Sequence, residues 1–182
     1  MAESLKKLPW EEAISLSSPH PYVLVVSADA KNKPNIMGLS WWTICSREPP
    51  MLAISVGRER YTRECLDAHG EFVVCLIGEE HARGAWLCGR VSGRKIDKFE
   101  DAGFNAVKSL KVSVPTIGES VVAFECRRSG KIETGDHILY VGHVVAMRGS
   151  GVARRHLFAR RCYEELFAIG PDGTSTGVLD VG

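Results

Sequence analysis

The chain has 182 residues, of which 45% are hydrophobic and 25% charged, a composition that excludes disorder as the main state. One domain is predicted, residues 1–182, because this length buries a sizeable core without disulfide or metal staples. The 23 Lys and Arg are balanced by 22 Asp and Glu, a formal charge of +1, which argues against a dedicated nucleic-acid binder.

Short helical and strand patterns follow one another without regular alternation. The N-terminal helical segment, residues 1–19, starts its helix after Pro9 and is ended by Pro19 and Pro21. The polar stretch from Asp29 to Pro34 predicts a hairpin between the first strand and a strand that starts at Asn35. Five segments rich in Val, Ile and aromatic residues predict strands: Tyr22 to Ser27, Met51 to Val56, Phe72 to Ile77, Val121 to Arg127 and His137 to Met147.

Three helical patterns interrupt the strands: Thr62 to His69, Glu79 to Cys88, and Asp97 to Ala102. The first of them is ended by Gly70. Strands dominate and do not alternate with helices as in a parallel sheet, so the class is α+β, mainly β, with an antiparallel barrel or sandwich. The last residues, 171–182, are rich in Gly and Thr and form either a hairpin or a loose tail.

No apolar stretch approaches the roughly 20 residues that a membrane-spanning helix needs, and the first residues lack the apolar segment of a secretory signal. The sequence therefore predicts a cytoplasmic protein that binds neither membrane nor nucleic acid. The cysteines occur singly, which suits free thiols in a reducing compartment, and no metal site is predicted. They are Cys45, Cys65, Cys75, Cys88, Cys126 and Cys162.

Familiar nucleotide and hydrolase motifs are absent. There is no G-x-G-x-x-G after a strand, and the G-x-x-x-x-G-R sequence from Gly84 to Arg90 lacks the Lys and hydroxyl of a phosphate-binding P-loop. The segment from Gly38 to Trp42 lacks the second glycine of a serine hydrolase elbow.

Two segments carry groups that suit an anion. Gly57 to Thr62 leaves a strand and opens a helix with two arginines, and Thr62 is the predicted N-cap. Val91 to Phe99 combines a hydroxyl, a glycine, three cations and a new helix. Each segment taken alone is more often a solvated loop, and the occurrence of both in one small barrel favours anion binding.

Two further segments suit a planar ligand. In an extended Asn35 to Ser46 segment, Trp41 and Trp42 point to opposite faces, so one can pack inward while the other borders a ligand. His137 lies where a loop enters a strand, a position that a packed edge histidine also occupies. The basic run from Arg154 to Arg161 is read either as a solvated helix face or as a site for nicotinamide phosphates or an acidic partner.

In their order and spacing, these pieces resemble the flavin reductase-like family of FMN-binding split barrels, particularly its flavoredoxin-like branch. The resemblance covers about residues 20 to 147. The pieces are Pro21 to Ser27, Pro34 to Trp41, Ser46 to Pro50, Arg60 to Thr62, Gly70 to Val74, Ser92 to Arg94, Asp97 to Phe99, and Gly135 to His137 with Gly142.

The resemblance implies a six-stranded antiparallel Greek-key split barrel with short peripheral helices, noncovalent FMN, and a homodimer with the flavin near the interface. By analogy, one set of residues lines the ring and ribityl chain: Asn35, Gly38, Leu39, Ser40, Trp41, Ser55 and Val56. A second set meets or closes over the phosphate: Arg60, Thr62, Ser92, Arg94 and Lys98. His137 is implied to lie near the ring, where it tunes the flavin.

The function that follows is an oxidoreductase in which NAD(P)H reduces bound FMN, and the electrons then pass to a flavin, a metal chelate or a protein. The alternative is a noncatalytic flavoredoxin-like electron carrier with no nicotinamide site. A third possibility is a split barrel that has lost its flavin and serves as a structural or ligand-binding module.

Overall fold

The computed structural model describes residues 5–161 and 163–182. Its helices are α1 (Trp10–Leu16), α2 (Tyr61–His69), α3 (Ala82–Arg90) and α4 (Lys98–Asp101), and a 3-10 turn (Glu79–His81) precedes α3. Within the described ranges, no helix has the length and apolar character that crossing a membrane requires. The strands are β1 (His20–Pro21), β2 (Val23–Ala28), β3 (Pro34–Leu39), β4 (Trp42–Arg47), β5 (Pro50–Gly57), β6 (Glu71–Ile77), β7 (Ala106–Val107), β8 (Thr116–Ile117), β9 (Ser120–Thr134), β10 (His137–Gly149), β11 (His156–Arg160) and β12 (Glu165–Ile169).

Seven strands form the main sheet, in the order β3-β2-β6-β9-β10-β5-β4, and every neighbouring pair is antiparallel. The predicted hairpin is confirmed, because β2 and β3 pair from Val23 opposite Leu39 to Ala28 opposite Pro34. The mainly β antiparallel class is confirmed, but the count of six strands is wrong. The seventh strand is the edge strand β4.

The alternation of side chains along each strand builds two cores. In β2, Val23 and Val25 enter one core, and Leu24 and Val26 enter the other. The first core joins residues of β3 to residues of β5, such as Leu39 and Ile54, although these strands are well apart in the sheet order. The sheet therefore curls around this core as a barrel.

The second core lies on the outer face of the sheet, under the helices and the small sheets. Ala85 and Cys88 of α3, Phe99 of α4, and Leu157 and Leu166 of the sheet β1-β11-β12 are all buried there. This packing fixes α3 and α4 against β3, whereas α2 contributes Leu66 to the first core.

The helices follow their sequence signals with two differences. Gly70 ends α2 in the left-handed conformation (φ 66°), and Asp97 caps α4 by accepting from the amides of Phe99 and Glu100. The predicted N-cap role of Thr62 is wrong, because α2 begins at Tyr61 and Arg60 occupies the cap without a side-chain hydrogen bond. The Glu79 to Cys88 helix is divided into the 3-10 turn and α3.

The C-terminal part also corrects one expectation. Of the two interpretations of the basic run, the solvated helix face is wrong, because its residues from His156 to Arg160 form β11, which pairs with β1 and β12. Downstream, the amide of Thr176 donates to Ala168 and that of Leu179 donates to Leu166, so residues 175–179 lie along β12.

Four cysteines of the described chain are buried free thiols, Cys65, Cys75, Cys88 and Cys126, and Cys45 is exposed. Cys162 lies outside the described residues. Burial raises the pKa of Cys75 to about 11 and that of Cys88 to about 12, so both thiols stay protonated and unreactive at neutral pH.

Candidate functional site

Two adjoining cavities lie between the barrel wall and helices α2 and α3. The wide cavity, of about 370 Å³, has walls formed by Leu39, Trp41, Ser55, Trp86, His137 and Tyr163. The narrow cavity, of about 170 Å³, is lined by Asn35, Thr62, Ser92, Gly93, Arg94 and Lys98. Four residues line both cavities, so the two form one cleft: Met37, Arg60, Gly89 and Arg90.

The narrow cavity is cationic. Arg60 borders it at the start of α2. The first amide groups of a helix have no intrahelical acceptor, and in α2 no side chain caps them either. Arg94 lies over the ring of Tyr61 at 4.8 Å and donates to Glu64, which partly neutralises its charge. Unpaired amides beside a guanidinium form an arrangement that binds anions.

Lys98 forms the base of the narrow cavity. The residue is 5% exposed, and its ammonium donates to the carbonyl oxygens of Ile36 at 2.6 Å and Cys88 at 2.7 Å. An ammonium has three N–H donors, so one remains for a ligand. Burial lowers the pKa of Lys98 to about 8, and the nearby charge of Arg60 adds to that shift.

Asn35 presents an unsatisfied oxygen to the same cavity. Its Nδ2 donates to Thr62 Oγ1 at 2.9 Å, but its Oδ1 is buried without a partner among the described residues. A Cβ at Gly93 would lie 2.1 Å from this oxygen, so glycine is needed there to let the loop approach Asn35. A buried carbonyl oxygen of this kind calls for a ligand donor such as a hydroxyl group.

The wide cavity is mainly aromatic and apolar. Trp41 lies against His137, with ring centroids 4.8 Å apart and planes inclined at 44°. The Nδ1 atom of His137 is 2.8 Å from Asp136 Oδ1, which orients the imidazole. That hydrogen bond also lowers the pKa of the exposed Asp136 carboxyl. Such a cavity suits a flat ring system that carries a few polar edge atoms.

The close approach of α3 to β3 shapes the boundary between the two cavities. The side chain of Tyr22 inserts between α3 and β3, and its hydroxyl donates a hydrogen bond to the carbonyl oxygen of Ala85 at 3.1 Å. A Cβ at Gly38 would lie 1.7 Å from this hydroxyl oxygen, and one at Gly89 would lie 2.4 Å from it. Only glycine fits at both positions.

Most of the predicted site residues meet in this cleft. In the wide cavity they are Gly38, Leu39, Trp41, Ser55 and His137; in the narrow cavity they are Asn35, Thr62, Ser92, Arg94 and Lys98; Arg60 lines both. Ser40 and Val56 line neither cavity. Ser40 is buried and its amide donates to the hydroxyl of Tyr163, while the side chain of Val56 belongs to the barrel core.

Sequence reasoning missed several residues of the cleft. Gly89 and Arg90 stand in the G-x-x-x-x-G-R sequence, which fails as a P-loop but does reach the cleft from the end of α3. Trp86 could have been found from its place on the same helix, where Arg90 lies over its ring at 4.1 Å. Tyr22 is predicted only as the start of the first strand, and Tyr163 carries no signal in the sequence.

Comparison with known proteins decides the family. Residues 16–166 match the family model described as a flavin reductase like domain. The chain belongs to the flavin reductase-like family. This confirms the resemblance drawn from the order of the motifs, and the match includes nearly all of the cleft.

Solved structures of flavin reductase-like proteins share the fold. A flavoredoxin from Methanosarcina acetivorans is 25% identical, with a TM-score of 0.76 and coverage of 100% of this chain and 94% of that one. An FMN-binding protein from Thermus thermophilus, solved with bound p-hydroxybenzaldehyde, is 21% identical, with a TM-score of 0.76 and coverage of 100% and 98%. The split-barrel fold is thereby confirmed.

Curated relatives are similar over shorter stretches. An uncharacterized protein of Archaeoglobus fulgidus is 39% identical over 62% of this chain and 64% of its own length. The protein named FMN reductase (NADH) RutF 1 from Methylorubrum extorquens is 30% identical over 71% of this chain and 63% of its own length. The chain therefore spans slightly less than two thirds of these two relatives.

Proposed function

We propose that the cleft binds FMN noncovalently, with the flavin ring in the wide cavity and the phosphate in the narrow one. The observation that carries this proposal is the junction of an aromatic cavity of about 370 Å³ with a cationic cavity of about 170 Å³. The phosphate of FMN carries a charge of about −1.5 to −2, which cations and amide donors stabilise. The unsatisfied Oδ1 of Asn35, a residue of the narrow cavity, would accept a hydrogen bond from a ribityl hydroxyl.

Bound FMN would supply hydride and single-electron chemistry, and the chain supplies position, charge and access. Arg60, Arg94 and the first amides of α2 hold the phosphate. Trp41 and Leu39 exclude water from the ring. His137 lines the wide cavity and donates from Nδ1 to Asp136, so as an imidazolium it would have a second N–H, at Nε2, to donate to the ring's edge and stabilise the reduced form.

We propose an oxidoreductase that takes electrons from NAD(P)H and delivers them to a free flavin, a metal chelate or a protein. The name of the Methylorubrum relative, an NADH-dependent FMN reductase, supports this class of reaction. The buried free thiols fit a protein of the reducing cytoplasm.

We further propose a homodimer with the flavin near its interface. The edge strand β4 starts beside Trp41 of the wide cavity, and it exposes 61% of Ile44 together with Thr43 and Cys45. An exposed apolar edge strand is a surface that native proteins normally cover. A second copy would cover it and complete the outer wall of the cleft.

A noncatalytic electron carrier is the second candidate. The flavoredoxin structures support it, because the match includes 94% of the Methanosarcina protein and essentially the whole of this chain. In that case the open side of the wide cavity faces a protein partner rather than a nicotinamide.

The absorbance spectrum of the purified protein tests the cofactor first. We expect a flavin band, and release of FMN rather than a covalent adduct on acid denaturation. Anaerobic stopped-flow mixing with NADH or NADPH then separates the two functions. Bleaching of the flavin band within seconds supports the reductase, whereas reduction by dithionite alone supports the carrier. A colourless protein that takes up no added FMN would refute both.

A further inference from the structure

The turn between β11 and β12 inserts one aromatic side chain into the wide cavity. Tyr163 lines this cavity although it lies far along the chain from the other wall residues. Its ring packs edge-on against Tyr22, with centroids 6.3 Å apart and an angle of 69°. Neither the motifs of the sequence nor the function proposed above assigns a role to this residue.

Tyr163 is held in a strained backbone conformation. Its φ is 71°, in the left-handed region that non-glycine residues rarely occupy, and Arg161 in the same turn has a φ of 52°. Such a conformation persists only where surrounding contacts enforce it, and strained residues concentrate at functional sites.

Several hydrogen bonds hold this turn against the cleft. Arg90, which lies over Trp86, donates from Nη2 to the carbonyl oxygen of Tyr163 at 2.5 Å. On the other side, the amide of Arg161 donates to Ser18 Oγ at 3.3 Å. The turn is therefore tied both to α3 and to the segment after α1, and its tyrosine is fixed in place.

The phenolic oxygen of Tyr163 already has a donor. The amide of Ser40 donates to it at 2.9 Å, so the oxygen acts as an acceptor toward the protein. Burial raises the pKa of the Tyr163 phenol, which keeps its proton at neutral pH. Ser40 Oγ does not take that proton, since it is buried without a partner among the described residues.

We propose that the phenolic hydroxyl of Tyr163 donates a hydrogen bond to a carbonyl oxygen at the edge of the flavin ring. This inference rests on the proposed function, because it assumes that FMN occupies the wide cavity. The half-buried phenol lines the wide cavity with its oxygen fixed by the Ser40 amide, and the carbonyl groups of the isoalloxazine are acceptors on a planar ring of the kind that suits this cavity. Ser40 then acts through Tyr163, as a positioning residue for the phenol.

The test compares Tyr163→Phe with Tyr140→Phe by fluorescence titration of the apoprotein with FMN. Tyr140 is a matched control because its hydroxyl donates to Asp67 and it lines neither cavity. Tyr163→Phe should bind FMN about fivefold more weakly, as the loss of one hydrogen bond implies, and Tyr140→Phe should bind it as wild type does. The bound-flavin absorption band should shift and the midpoint potential should become more negative in Tyr163→Phe alone.

Four outcomes are decisive. Weaker FMN binding by Tyr163→Phe, together with a shifted flavin band and midpoint potential, supports the direct contact; the apoprotein melting temperature also falls, because the Ser40 amide loses its acceptor. Unchanged FMN affinity and spectrum overturn the proposal. A loss of affinity that leaves the flavin band and the midpoint potential unshifted overturns it too, since that marks a structural role. If wild-type protein itself fails to bind FMN, the proposed function is refuted instead.

Discussion

The ammonium of Lys98 donates to the carbonyl oxygen of Ile36 across 2.6 Å, and this bond ties α4 to β3 directly beneath the narrow cavity. A second bond, to Cys88 in α3, makes Lys98 the link between three elements that shape the cleft. This lysine therefore serves the fold as well as the proposed phosphate site.

We expect Lys98→Met to lower the free energy of unfolding by about 2 kcal/mol, because two buried carbonyl groups lose their donor. Urea denaturation of the apoprotein at neutral pH measures the change. Lys95→Met is the control, since Lys95 is exposed in the loop that precedes α4 and its replacement should leave the stability unchanged. Equal stability of the two variants would contradict the linking role.

The pH dependence of stability should report the same group. The folded pKa of Lys98 is about 8, below its ordinary value of 10.5, so between these values the unfolded chain binds more protons than the folded chain. The free energy of unfolding therefore rises with pH across that window in wild type, relative to Lys98→Met. Affinity for FMN should fall over the same window, because the narrow cavity loses a positive charge. Parallel stability curves for the two proteins would rule out this titration.

Arg60→Gln should weaken FMN binding by about 10- to 100-fold, as expected for the loss of charge-assisted hydrogen bonds to a phosphate. Fluorescence titration measures the affinity, and riboflavin, which has no phosphate, should bind both proteins equally. Arg63→Gln is the matched control on the same helix, since Arg63 pairs with Glu64 and Asp67 and lines neither cavity. A similar loss in both variants would remove Arg60 from the phosphate site.

Gly38→Ala should close the boundary between the two cavities. Its Cβ would lie 1.7 Å from the hydroxyl oxygen of Tyr22 and 3.1 Å from Cα of Gly89, so β3 and α3 must separate. We expect a loss of about 2 to 3 kcal/mol in the free energy of unfolding and the loss of bound FMN. Gly130→Ala, where the added Cβ meets nothing within 4 Å, should be neutral in both respects.

Neutralising Arg154 and Arg155 should leave the salt dependence of the NAD(P)H Michaelis constant unchanged. Arg154 is paired with Glu80 at 2.5 Å and Arg155 with Glu79 at 3.2 Å, and neither arginine lines the cleft. Steady-state kinetics at several salt concentrations, with Arg154→Gln and Arg155→Gln combined, make the comparison. A shallower salt dependence in the variant would restore the nicotinamide role of this basic run.

The sequence was informative where local chemistry determines structure. Gly70 marks the end of α2, Asp97 marks the start of α4, and the polar turn after Ala28 fixes the first hairpin. The edge strand β4 was harder to find, because its exposed residues, including Ile44, do not alternate between polar and apolar. The basic residues of β11 suggested a helix face, since nothing local reveals that β1 and β12 pair with it.

The candidate site likewise has residues that the sequence indicates and residues that it does not. The motif order brought Arg60, Asn35 and Lys98 together correctly, because each stands at a strand or helix end that the fold places at one cleft. The position of Tyr163 depends on a left-handed turn and on a hydrogen bond to Ser40, 123 residues away along the chain. Contacts of this range leave no local pattern to read.

Arg60 borders both cavities from the start of α2, which is packed onto the barrel. The distance between the wide cavity and the narrow cavity is therefore set by rigid elements. If FMN binds as proposed, its sugar alcohol would bridge the gap between the two cavities, whereas the adenosine half of FAD would have to extend beyond the narrow cavity. We therefore expect competition between the two flavins to favour FMN.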